Sequence, residues 1–242
     1  MQPDGEPLTS TQGSMVLQLQ ENLALLGYLP VGWNGQAFTF PQAGMPLPLR
    51  SLFVPGVATV LLRGAEMSYE ADRGLNPADI GASSLLQDLE RDVQLGWHAR
   101  HPFTYVYVDE TLPERLVVWS TQGVLQQVPA NTGVAGAATP LGTHPVYLRL
   151  PFEVMRGRNL GGSYYADPVY YINYFFGGDA VHGFWRRSYG FPQSLGCVEV
   201  PPQDAAAIYS ELQIGTLVTV GAGTLAFVAT PQPPPPAADQ GP

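Results

Sequence analysis

The chain has 242 residues, 45% hydrophobic and 13% charged, the composition of a folded protein and not of a disordered one. Its net charge of −9 argues against the clustered positive surface that nucleic-acid binding needs. One cysteine excludes an intrachain disulfide and a zinc–thiolate cluster, and no apolar run approaches the roughly 20 residues that span a bilayer.

Residues 1–13 are polar and rich in turn formers, which predicts a flexible N-terminus. Met1 to Gly5 show no basic region and no apolar run, so no export signal is expected in this sequence. From Ser14, the residues Val16, Leu19, Leu23 and Leu26 recur at helical spacing, and Gly27 stands where a helix C-cap sits. Residues 30–57 are rich in Gly and Pro and read as a loop or irregular insertion. Residues 59–73 read as a short strand or turn leading into a helix stopped by Gly74. Leu85, Leu86, Leu89 and Val93 mark a further amphipathic helix over 82–93.

The pattern changes after Pro102. The runs Phe103–Val108, Arg115–Thr121, Val124–Pro129, Thr143–Leu150, Val169–Phe176, Ala180–Phe184 and Thr216–Val220 are rich in β-formers and separated by turn residues. One helix interrupts them at 202–212, with Pro202 in its first turn and Ile208 and Leu212 on its apolar face. The proline-rich segment Pro231–Pro236 fits neither strand nor helix. The expected class is α+β. A small helical N-terminal domain (14–95, with the insertion at 30–57) precedes a mainly β domain (102–229) whose sheet packs on one helix. A tail (230–242) follows.

The one thiol sits in Ser194-Leu195-Gly196-Cys197-Val198, and His182-Gly183 lies upstream. A thiol reacts as its thiolate, and an imidazole titrating near neutral pH is its usual base. Gly196 leaves room for a carbonyl, and backbone N–H groups beside Cys197 are candidate oxyanion donors. Residues 185–193 form a loop between the two. A lone cysteine is also commonly a small buried hydrophobe, so these residues alone leave both readings open.

These segments resemble the L,D-transpeptidase catalytic domain family, whose signature is a histidine, a spacer and Ser/Thr-His-Gly-Cys-Val/Ile. Thr139-Pro140-Leu141-Gly142-Thr143 resembles the family's upstream turn. Phe176–Val181 resembles the strand that delivers the histidine, and Leu212–Val218 the closing segment. Two positions depart from the pattern: Leu195 where a second histidine is usual, and Glu199 where Arg or Asn is usual. Val16–Tyr28, with Ala65, Tyr69-Glu70, Gly74-Leu75, Asp79-Ile80-Gly81 and Leu85, resembles the small helical peptidoglycan-binding domain.

The resemblance implies a cysteine acyltransferase acting on peptidoglycan peptide stems outside the cytoplasmic membrane. Cys197 is the implied nucleophile and His182 the base. Gly196, Ser194 and Gly183 shape the oxyanion loop. Tyr174, Trp185, Arg186, Arg187 and Glu199 are candidate substrate contacts. Neither a metal nor an organic cofactor is required, and a monomer is expected. Two alternatives stay open: an L,D-carboxypeptidase that uses water as acceptor, and an inactive wall-binding module.

Overall fold

The computed structural model describes residues 10–75 and 82–228. The expectations placed on residues 1–9, on Asp79-Ile80-Gly81 and on the tail from 229 lie outside them. Helix α1 (Ser10–Leu25) begins ahead of the expected Ser14, so residues 10–13 are its first turn and not part of a flexible segment. Gly27 closes it at φ +87, a conformation that costs glycine little. Helix α3 (Val60–Arg73) starts directly after the N-cap Thr59, with no strand before it, and ends on the left-handed Gly74. Helix α4 spans Ala82–Gln94. No helix among the described residues is long and apolar enough to cross a membrane.

The segment 30–57 has more order than its composition suggests. It holds the two-residue strands β1 (Gly32–Trp33) and β2 (Phe38–Thr39), which pair with each other. The strand β3 (Met45–Pro46) and the short helix α2 (Leu47–Ser51) follow. β3 pairs with β13 (Phe227–Val228), so the end of the described chain returns to the N-terminal part. The signal was hidden because two-residue strands carry no readable period.

The β domain is built on two sheets. The first has five strands in the order β6 (Gly123–Pro129), β5 (Arg115–Ser120), β4 (Thr104–Asp109), β12 (Leu217–Gly221) and β7 (Gly142–Pro145). Its side chains alternate. Tyr105, Tyr107, Trp119 and Leu217 join one core with Leu19, Leu23, Leu61 and Leu89 of the N-terminal helices. Val106, Val108, Val118, Val218 and Val220 join another with Ala205 and Ile208 of helix α5 (Pro202–Glu211). The helices therefore cover one sheet face, and α5 lies against the other. The close approach of α3 to the strand-leading turn needs glycine at both positions. A Cβ on Gly64 would stand 2.6 Å from the Gly215 carbonyl oxygen, and one on Gly215 2.1 Å from that of Gly64.

The second sheet runs β11 (Val198–Val200), β10 (Asp179–Gly183), β9 (Tyr164–Phe176) and β8 (Leu148–Arg158). The expected run Thr143–Leu150 is in fact split between the two sheets, β7 ending at Pro145 and β8 starting at Leu148. β8 and β9 pair along their length from Leu148–Tyr174 to Arg158–Tyr164. The far half of this hairpin was not expected. β8 does not alternate in exposure, and although β9 alternates from Tyr164 to Tyr170, its Pro168 argues against a strand when read in sequence.

Candidate active site

His182 and Cys197 meet because β10 and β11 are parallel neighbours. Val181 pairs with Val198 and His182 with Glu199. Side chains alternate along each strand, so Ala180, His182, Cys197 and Glu199 share one face. Val181, Val198 and Val200 point the opposite way, into the core with α5. The shared face opens on a cavity of about 340 Å³ lined by His182, Cys197, Glu199, Arg186, Tyr174 and Asp179.

A bulge aims the histidine. On β9 the partners of Val181 and Gly183 are Asn173 and Tyr170, one residue more than β10 supplies. The extra residue is accommodated at Tyr171, whose φ is +60, the one non-glycine positive φ among the described residues. Such a conformation costs on the order of 1–3 kcal/mol and persists only where surrounding packing enforces it. Gly183 then lets the strand sit on α5: a Cβ there would stand 2.8 Å from that of Ala205.

His182 is 2% exposed, and its Nδ1 faces the Gly183 carbonyl oxygen at 3.3 Å. A proton on Nδ1 would serve that carbonyl and leave Nε2 with its lone pair free. Burial lowers the imidazole pKa. Glu199 and the Gly183 contact oppose this, and Arg186 adds to it. Cys197 is partly buried, and its thiol is pushed up to about 12, first by burial and then by Asp179 and Glu199. The backbone amide of Ala180 works the other way. Its sulfur contacts the Gly178 carbonyl oxygen at 4.0 Å, and among the described residues no hydrogen bond joins thiol to imidazole. Both shifts favour the neutral forms, thiol and imidazole.

The turn before the thiol is tightly held. Ser194 Oγ accepts the Gly196 N–H at 3.2 Å and donates to the Cys197 carbonyl at 2.5 Å. Thr139 Oγ1 accepts the Gly133 N–H at 2.9 Å and donates to the Gly196 carbonyl at 2.8 Å. Gly196 has φ +121, and a Cβ there would lie 2.2 Å from Asp179 Oδ1. Both the dihedral and the space require glycine.

The other candidates separate. Tyr174 lines the cavity and donates to Glu153 Oε2 at 2.7 Å. Arg186 and Glu199 also line it but bind each other. Trp185, 72% exposed, and the exposed Arg187 lie on the loop outside the lining. Asp179, Tyr165, Asp167, Glu153 and Arg156 also belong to the cavity; Tyr165 comes from the tyrosine-rich stretch before the histidine strand, and the other four were not expected as substrate contacts. Four of these five lie on the β8–β9 hairpin. Among the described residues no group of three or more His, Cys, Asp or Glu is placed to hold a metal ion.

Residues 104–220 match the YkuD family, L,D-transpeptidase catalytic domain. No curated protein matches the sequence. Among solved structures, an L,D-transpeptidase from Mycobacterium smegmatis is similar at 27% identity and TM-score 0.45, over 49% of this chain and 59% of that one. A mutant of the Enterococcus faecium L,D-transpeptidase is similar at 21% identity and TM-score 0.46, over 59% and 65%. The catalytic domain of E. faecium L,D-transpeptidase acylated by ertapenem is similar at 25% identity and TM-score 0.44, over 49% and 97%. The chain spans less than two thirds of the M. smegmatis structure and of the E. faecium mutant.

Proposed function

We propose that segment 104–220, an L,D-transpeptidase catalytic domain by its family match, is a cysteine acyltransferase acting on peptidoglycan tetrapeptide stems. The observation that carries the reading is the register of β10 and β11. It sets the chain's one thiol and a buried imidazole on the same face of one cavity.

Cys197 is the nucleophile and His182 the base. As the donor's carbonyl carbon reaches the sulfur, His182 Nε2 takes the thiol proton and the sulfur–carbon bond forms. Because the thiol is pushed up to about 12, this transfer accompanies attack and does not precede it. The oxyanion is held by backbone N–H groups of the Ser194–Cys197 turn. The Gly196 N–H is engaged by Ser194 Oγ at 3.2 Å, a long neutral bond that a charged oxygen outcompetes. Collapse of the intermediate breaks the bond to D-Ala, whose nitrogen takes the proton from His182, and leaves a thioester. A side-chain amine of a second stem then attacks, its proton passes to His182, and the released sulfur is reprotonated. The product is a 3→3 cross-link.

Ser194 and Gly196 shape this turn, Gly183 seats the histidine strand on α5, and Tyr174 with Glu153 bounds the donor site. No step calls for a metal or an organic cofactor. The substrate places the working protein outside the cytoplasmic membrane, and the helices of the N-terminal part are the candidate wall-binding surface. The test is intact-mass measurement after exposure to a carbapenem. One adduct, lost in Cys197→Ala, is expected. No adduct, together with retained binding to sacculi, would turn the chain into a wall-binding module. Product analysis with and without an acceptor stem separates transfer to an amine from transfer to water, the latter an L,D-carboxypeptidase.

A further inference from the structure

Glu199 is 5% exposed, and a buried carboxylate is stable only with a partner. Arg186 provides it from the loop. Its Nε donates to Oε2 and its Nη2 to Oε1, each at 2.7 Å, a forked pair. Nη2 also donates to the Gln193 carbonyl at 3.3 Å, which ties down the far end of the loop. The guanidinium lies 4.7 Å over the Phe184 ring, and that ring meets His182 edge-on at 6.1 Å. The Arg186 N–H donates to Tyr189 Oη, which donates to the Phe184 carbonyl at 2.7 Å. Glu199 is itself the in-register neighbour of His182. Imidazole, phenyl ring, guanidinium and carboxylate therefore close a circuit around the base.

The geometry points to the Arg186–Glu199 pair as a positioning device for His182, in which two opposed charges flank the imidazole, one in register with it and one across the Phe184 ring, while tying loop 185–193 to the strand after Cys197. This deepens the reading of His182 as the base and rests on it. It also gives both residues a role other than holding a substrate carboxylate, since each satisfies the other.

Other groups face the same cavity. Tyr165, Asp167 and Tyr174 come from β9, Glu153 and Arg156 from β8, and Asp179 and Cys197 from the site itself. Helix α5 meets the histidine strand through Pro202 and Ala205, beside Gly183. Among charged side chains, Glu199 and Arg186 are the two that act on the imidazole, Glu199 raising its pKa and Arg186 lowering it.

The test is NMR titration of the His182 ring without substrate, in the full chain. The chain has four histidines, and the signal is assigned by its loss in His182→Gln. Glu199→Gln leaves an unbalanced cation and is expected to lower the pKa by roughly half a unit to one unit. Arg186→Gln leaves an unbalanced anion and is expected to raise it by a similar amount. The double variant is expected to return close to the parent value. Shifts in the same direction, or none in variants that melt cooperatively, overturn the inference. Should Arg186→Gln fail to fold, Glu199→Arg with Arg186→Glu exchanges the poles of the pair. The imidazole then faces a cation in register and its pKa must fall; an unchanged titration overturns the inference. These readings need no turnover. Full activity of His182→Gln would remove the base while leaving opposed shifts intact. An inactive His182→Gln without opposed shifts would remove only the pair's role.

Discussion

The two sheets follow the same alternation of side chains and use it differently. The five-stranded sheet is covered on both faces, Tyr105, Tyr107 and Trp119 meeting the helices and Val106, Val108 and Val118 meeting the core of α5. The four-stranded sheet packs Val181, Val198 and Val200 into that second core, and on its other face Val169, Ile172, Tyr174 and Ala180 form a small cluster of their own. That other face also carries His182, Cys197 and Glu199 over a cavity. A covered face needs only apolar side chains of fitting volume. A face that holds chemistry must satisfy each buried polar group separately. The crowded Gly196 and the ion pair of Arg186 and Glu199 lie on that face, and the positive φ of Tyr171 lies on the strand beside it.

The contrast can be broken from either side. Trp119→Ala empties a fully buried site shared by sheet and helices and is expected to cost about 3–5 kcal/mol. Because Trp119, Tyr105 and Leu217 share one core with the helices, denaturant unfolding should give one transition by both circular dichroism and fluorescence. Two separate transitions would contradict a shared core. On the open face, His182→Gln should lower kcat/KM by about 10²–10⁴-fold and leave the denaturation midpoint nearly unchanged. A comparable loss of stability would make the open face a structural face as well.

Much of the covered sheet was legible. Phe103–Val108 and Arg115–Thr121 alternate or run apolar, and β4 and β5 form within a residue or two of those bounds. The helix at 202 was legible from Pro202 and its alanines. The open face was legible only where a motif marks it. Ser194-Leu195-Gly196-Cys197 and His182-Gly183 draw attention by residue type. Glu153, Asp167 and Arg156 do not, because no motif marks them on the β8–β9 hairpin, and Tyr165 is one of several tyrosines there that sequence alone does not tell apart. Thr139 stood out as part of a turn, but its bond to the Gly196 carbonyl joins residues 57 positions apart, which no local pattern encodes. The same holds for Arg186 and Glu199. Each looked like a free charge because the register that joins them is a property of the fold.

Smaller effects sharpen the picture. Gly196→Ala adds a Cβ against Asp179 at a φ of +121, and is expected to cost about 1–3 kcal/mol in thermal denaturation and to slow acylation. Asp179→Asn removes a negative charge that raises the thiol pKa. Alkylation of Cys197 at pH 8 should then speed up several-fold, and an unchanged rate would mean that Asp179 does not act on the sulfur. The smallest effect concerns pH. Burial lowers the native pKa of His182, while the unfolded value is about 6.5. Between the two values the unfolded chain binds a proton that the native chain refuses. Stability therefore falls as pH drops through about 6.5, and this component levels off below the native pKa. His182→Gln should lack it, which urea titrations at pH 7 and pH 5 would read.

The most direct measurement is the intact mass of the protein after incubation with a tetrapeptide donor, alongside turnover by Cys197→Ala. The parent protein is expected to gain the mass of the donor less D-Ala, held on Cys197, and the variant to gain nothing and turn over no donor. Full activity in Cys197→Ala would contradict the assignment of Cys197 as the nucleophile.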